Sequence, residues 1–169
     1  MNKNSCWKIP LKAMNEIEIE ARAQSAMDLF RKGYNCAQAV YASCADLFGI
    51  TDQKLALRLS ASFGGGIGRM RQTCGAACGM FMLEGLHSGS DKEGDHEGKM
   101  ANYVRVQALA QTFKDTFGSI ICAELLGLAH VQADTNPQPE ARTESYYKKR
   151  PCVETVGEAV RIFLRSLNA

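Results

Sequence analysis

Seven cysteines in 169 residues (Cys6, Cys36, Cys44, Cys74, Cys78, Cys122 and Cys152) are the side chains here whose type and spacing could do chemistry. A thiolate ligates metals and attacks disulfides, whereas a thiol buried for packing is only a small hydrophobe. What stands in front of each cysteine separates the two uses. Asn35 precedes Cys36, Thr73 precedes Cys74, Ser119 stands three residues before Cys122, and Pro151 precedes Cys152. Asn, Thr and Ser cap helix N-termini, and proline favours a helix start. Four cysteines are therefore expected in the first turns of four different helices, where chance would place about one of the seven.

A helix start leaves unpaired N–H groups and carries about half a positive charge, and both favour thiolate over thiol. Four such thiolates brought together would suit a tetrahedral zinc site or a four-thiolate iron–sulfur cluster. Separations of 38, 48 and 30 residues match no compact finger or ferredoxin run, so the fold must assemble any common site. Without metal, the same cysteines would be redox-active thiols cycling through disulfides. Cys78, one turn below Cys74, is then a candidate resolving thiol. Cys44 falls mid-helix on an apolar face and reads as packing.

The elements that must position these residues are helices. Residues 1–12 read as a flexible arm, and residues 13–169 as a single domain. Apolar positions Met14, Ile17, Met27 and Phe30 predict a helix that stops at Gly33. Asn35 begins a second that runs to Gly49. Thr51 caps a third, DQKLALRLSASF, leading into FGGGIGRMRQ, and Thr73 starts a fourth, CGAACGMFMLEGL. After the polar loop HSGSDKEGDHEG, a long helix spans about Lys99 to Phe117. Ser119 caps SIICAELLG, residues 128–150 form an excursion holding Pro137 and Pro139, and Pro151 opens the last helix. No stretch alternates as a strand does. The expected fold is an all-α, single-domain bundle of six to seven helices.

Twenty basic and eighteen acidic residues give a net charge of +2, interspersed along the chain. That balance offers no footprint for nucleic acid or a polybasic membrane surface. No apolar run is long enough to span a bilayer and no signal sequence is evident, so membrane insertion is not expected and a cytoplasmic location is.

Gly33-Tyr34-Asn35-Cys36-Ala37-Gln38-Ala39-Val40, Phe63-Gly64-Gly65-Gly66 and Cys74-Gly75-Ala76-Ala77-Cys78-Gly79, followed by Cys122 in CAELLG and by Cys152, carry a family resemblance. Over about residues 25–165 the chain resembles the C_GCAxxG_C_C family of redox-active proteins. The family's hallmark cysteines fall on Cys36, Cys74, Cys122 and Cys152, and Cys78 occupies a variable position. A similar domain occurs in split-Soret type cytochromes beside an iron–sulfur centre, which implies a cluster here; the chain has no CxxCH haem motif. A cluster near the surface would need a redox partner protein to exchange electrons, and a homodimer is a further expectation.

Around such a centre, Gly64, Gly65, Gly66 and Gly75 would let backbone approach closely and offer N–H groups to sulfur. Arg69 and Arg71 are expected in solvent, with both as candidates to face an anionic cluster or substrate. GGGIG lacks the Gly-Lys-Ser/Thr ending of a phosphate loop. Asp91, Glu93, Asp95 and Glu97 lack the glycine and closing glutamate of a calcium loop. His87, His96 and His130 have no paired-ligand spacing, and Tyr146 to Arg150 reads as a mobile polar loop.

Overall fold

The structure, a computed structural model, describes residues 13–128 and 136–168. The expected arm at 1–12 and His130 lie outside the described residues. The elements are α1 (Glu16–Arg31), α2 (Cys36–Ala42), α3 (Gln53–Ser60), α4 (Gly75–Ser88), α5 (His96–Phe117), α6 (Cys122–Leu125), α7 (Glu144–Lys149) and α8 (Cys152–Ser166). Two 3₁₀ turns, Ala45–Phe48 and Ala61–Phe63, extend α2 and α3. The described residues form no sheet, and the all-α expectation holds.

Helix α1 starts at a capping box: the Glu18 N–H donates to Asn15 at 3.0 Å, and the Asn15 N–H donates to Glu18 at 2.9 Å. It packs most extensively on α8, and α2 packs likewise on α4. Buried Ile19, Ala23, Ala26 and Phe30 of α1 face Val156, Ala159, Val160 and Phe163 of α8 at helical spacing. Gly157 lets the two helices close up: a Cβ there would stand 2.9 Å from the Met27 sulfur. The two ends of the described fold meet. The Met14 N–H donates to the Asn168 amide oxygen at 3.1 Å, and the Asn168 amide donates to the Met14 carbonyl at 2.7 Å.

Several element boundaries differ from the sequence reading. Helix α2 ends at Ala42, where the Ser43 hydroxyl turns back to donate to the Val40 carbonyl. Cys44 therefore stands at a break instead of mid-helix, yet is fully buried in the core. Asp52, rather than Thr51, caps α3, accepting from Lys54 and Leu55. Asp95 caps α5 three residues earlier than expected, by accepting from the Gly98 N–H. The excursion contains α7, capped by Thr143.

Candidate functional site

Each of the four cysteines sits at a helix start. Cys36 is the first residue of α2, behind the capping box of Asn35 and Gln38. The Asn35 amide also donates to the Ala61 carbonyl at 2.8 Å, tying this helix start to the segment before the glycine loop. Cys152 is the first residue of α8, after Pro151. The other two differ in detail from expectation. Cys74 is itself the N-cap of α4, and Cys122 opens α6 after Ile121. Thr73 and Ile121 pair as an isolated antiparallel bridge, so neither Thr73 nor Ser119 is the capping residue. Ser119 instead accepts from the Ile121 N–H. The Cys74 N–H donates to Ile120 and the Cys122 N–H to Gln72, both at 2.7 Å. This pairing sets Cys74 and Cys122 side by side.

The four cysteines line one cavity of about 20 Å³, closed by Leu125, Leu126 and Thr155. That volume holds roughly one water. Glycines make the approach possible. A Cβ on Gly66 would stand 2.7 Å from the Cys122 Cβ, and one on Gly75 would stand 3.1 Å from the Cys36 Cβ. Gly64 is similarly pressed on the Asn35 side chain, and Gly65 lines the cavity. As the thiols stand, no group of three or more potential ligands among the described residues is spaced to hold a metal ion.

The expectation of four thiolates is corrected by burial. Desolvation pushes Cys74 up to about 12, although the N–H groups of Ala76 and Ala77 pull the other way. Cys122 is also raised by burial, against the Arg71 guanidinium that donates to its sulfur. Cys36 and Cys152 form a pair in which the Cys36 thiol donates to the Cys152 sulfur. That bond holds Cys36 protonated and raised, and with help from Arg150, Arg142 and Arg71 it lowers Cys152 to about 7. In a dry site, one thiolate is accommodated and the next is repelled.

Arg69 and Arg71 are not in solvent: their side chains are 14% and 5% exposed. The loop that carries them winds left-handed, with φ of 59° at Ile67, 65° at Arg69 and 61° at Arg71. Such angles cost non-glycine residues on the order of 1 kcal/mol each and persist only where the surroundings fix them. The described loop N–H groups from Ile67 to Gln72 donate to carbonyls at Phe63, Ser62, Gly64, Ile67, Gly65 and Gly66 in turn.

Cys78 does not line the cavity; its thiol donates to the Thr73 carbonyl at 3.7 Å, and burial raises it to about 11. His87 meets Phe48 edge-on, and His96 opens α5. The sequence reading missed Glu140 and Arg142, and took Arg150 for part of a mobile loop. All three face the cysteines from the strap before α8. The basic run at 148–150 was the available signal for Arg150. Among the described residues, no helix is long and apolar enough to cross a membrane.

A family model described as "Putative redox-active protein (C_GCAxxG_C_C)" matches residues 34–165. An "Uncharacterized protein" of Archaeoglobus fulgidus is 25% identical over 157 residues, covering 89% of this chain and 95% of that one. No solved structure matches.

Proposed function

The chain belongs to the C_GCAxxG_C_C family of redox-active proteins, and from that premise we propose that Cys36, Cys74, Cys122 and Cys152 form its redox centre as ligands of an iron–sulfur cluster. The observation that carries this reading is convergence: four helix starts from distant parts of the chain deliver four sulfurs to one cavity. A thiol–disulfide couple needs only two. Four thiols are the donor set of a cluster, and the glycine cradle at Gly66 and Gly75 keeps side-chain carbon away from them. The cavity is smaller than a cluster, so the four sulfurs would have to part to admit one. When bound, the cluster supplies one-electron transfer.

The chain's own residues prepare the site for negative charge. Burial at Cys74 and Cys122, and the hydrogen bond to Cys152 at Cys36, hold three of the thiols protonated, and a bound cation would take the place of those protons. Arg71 donates to Cys122, and Arg142 and Arg150 act on Cys152, offsetting thiolate charge. Leu125 and Leu126 help keep water out. The electrons come from, and go to, a partner protein.

The contact between Cys36 and Cys152 favours a second reading, a metal-free dithiol. Its oxidation joins the two sulfurs and releases two electrons to an acceptor, together with the Cys36 proton and any proton on Cys152. Anaerobic reconstitution with iron and sulfide distinguishes the readings. A brown product with stoichiometric iron, lost in Cys74→Ser, is expected. A colourless, iron-free product with a reversible two-electron Cys36–Cys152 couple supports the dithiol instead. Stoichiometric zinc without a redox couple makes this a structural zinc module.

A further inference from the structure

Helix α5 gives few of its 22 residues to the core: only Leu109 and Phe113 are buried. The face turned away from them carries Met100, Tyr103 and Val104, which are 64%, 57% and 60% exposed. Between Met100 and Thr112 eight positions are exposed, and they hold Met, Ala, Tyr, Val, Gln, Ala, Gln and Thr. None is charged, where a solvated surface of that size carries about two or three charges. The one charged side chain in the stretch, Arg105, pairs with buried Glu84 on α4.

Charge returns at the two ends of the face with opposite sign, Glu97 in the first turn and Lys114 in the last. Positions 97, 100, 104, 107, 111 and 114 step by three and four residues in alternation, and all six are exposed. That is the repeat of a coiled-coil seam. Turned end for end, the seam matches itself: Glu97 meets Lys114, Met100 meets Gln111, and Val104 meets Gln107. Laid parallel, Glu97 would meet Glu97 and Lys114 would meet Lys114. Charge therefore selects the antiparallel arrangement, which is the one a two-fold axis generates.

We propose that this face pairs with the same face of a second copy of the chain, α5 against α5 and antiparallel. The Cys74 N–H donates to the Ile120 carbonyl just beyond α5, so the C-terminal end of α5 is its sulfur end. At about 1.5 Å of rise per residue, the pairing sets the two Phe117 ends about 35 Å apart. The dimer holds its two sulfur sites at opposite ends, out of contact with each other. It stands whether or not those sites carry metal.

Sedimentation equilibrium of the full chain over about 1 to 500 μM tests this, with the protein kept reduced so that no intermolecular disulfide contributes. One helix pair is at the small end of specific interfaces, below about 1,200 Å², so a monomer–dimer equilibrium in the micromolar range is expected. Val104→Lys enters the seam twice by symmetry and weakens association about tenfold or more, leaving the helical content of the monomer unchanged. Met100→Lys is the second such variant. Glu97→Lys or Lys114→Glu alone brings like charges together and weakens association a few-fold; the double exchange restores it. Each exchange also opposes the helix dipole and lowers the thermal midpoint of the monomer, a loss that the double exchange does not recover. Restored association without restored stability is thus the signature of pairing. A chain that stays monomeric throughout overturns the proposal, as does a dimer indifferent to both Val104→Lys and Met100→Lys. A dimer that the double exchange fails to restore overturns the antiparallel register.

Discussion

Two sulfurs and one proton between them make Cys36 and Cys152 unequal. The thiol that donates is held protonated, and the sulfur that accepts titrates near 7 against an ordinary 9.0. Between pH 7 and 9 the unfolded chain keeps a proton that folded Cys152 has released. The contribution of Cys152 is therefore complete above 9 and disappears as pH falls through 7. Cys74 runs in the opposite sense: protonated to about 12 when folded, it loses stability as pH climbs from 9. Reduced, metal-free protein is expected to be most stable near pH 9, with Cys152→Ser flattening the rise from 7; urea midpoints at pH 6.5, 8.5 and 10.5 read both. Residue types told which cysteines stand at helix starts. They did not tell how deep the sulfurs lie, so electropositive helix ends were expected to ionise all four. Desolvation, which depends on the assembled fold, outweighs that field at Cys74 and Cys122, and at Cys36 the hydrogen bond to Cys152 does so with burial behind it.

The glycine loop works as one element, and its members are not equivalent. At Gly66 a Cβ would meet the Cys122 Cβ, the Gln72 nitrogen and the Arg71 carbonyl carbon, all within 2.8 Å. At Gly68, also left-handed with φ of 56°, a Cβ would meet nothing within 4 Å. Gly68→Ala is expected to cost about 1 kcal/mol through backbone strain. Gly66→Ala adds a clash that no flexible side chain can relieve, for a total of about 3 kcal/mol, and it displaces Cys122. Chemical denaturation gives the first comparison and cluster retention the second; equal costs would show that Gly66 only turns the chain. Local signals read well where local forces decide. Asn35 and Gln38 form their capping box because both partners lie three residues apart. At Thr73 and Ser119 the same reasoning slipped, because the backbone there pairs with a distant segment. The burial of Arg69 and Arg71 was illegible for the same reason, since Glu140, which pairs with both and with Arg150, reaches the glycine loop only through tertiary contact.

Across the whole molecule, the cysteine pair bridges parts of the chain far apart in sequence. A bond from residue 36 to residue 152 would close a loop of 116 residues, which stabilises by about 4 to 5 kcal/mol in the chain-entropy account. Mild oxidation of metal-free protein is expected to raise its urea midpoint, and Cys36→Ala to abolish the gain; an unchanged midpoint in chain verified as disulfide-linked would show that the bond strains the bundle. The helical architecture was legible from caps and apolar spacing. The meeting of α2, α4, α6 and α8 at one cavity was a requirement that the spacings posed and only packing could meet. Where Met14 and Asn168 clasp each other, the fold brings its two described ends within bonding reach. Fused there and reopened in the polar turn before Asp95, the same architecture would be threaded as a circular permutant, reading Cys122, Cys152, Cys36, Cys74. A motif defined by linear order would then miss a protein whose interior had not changed.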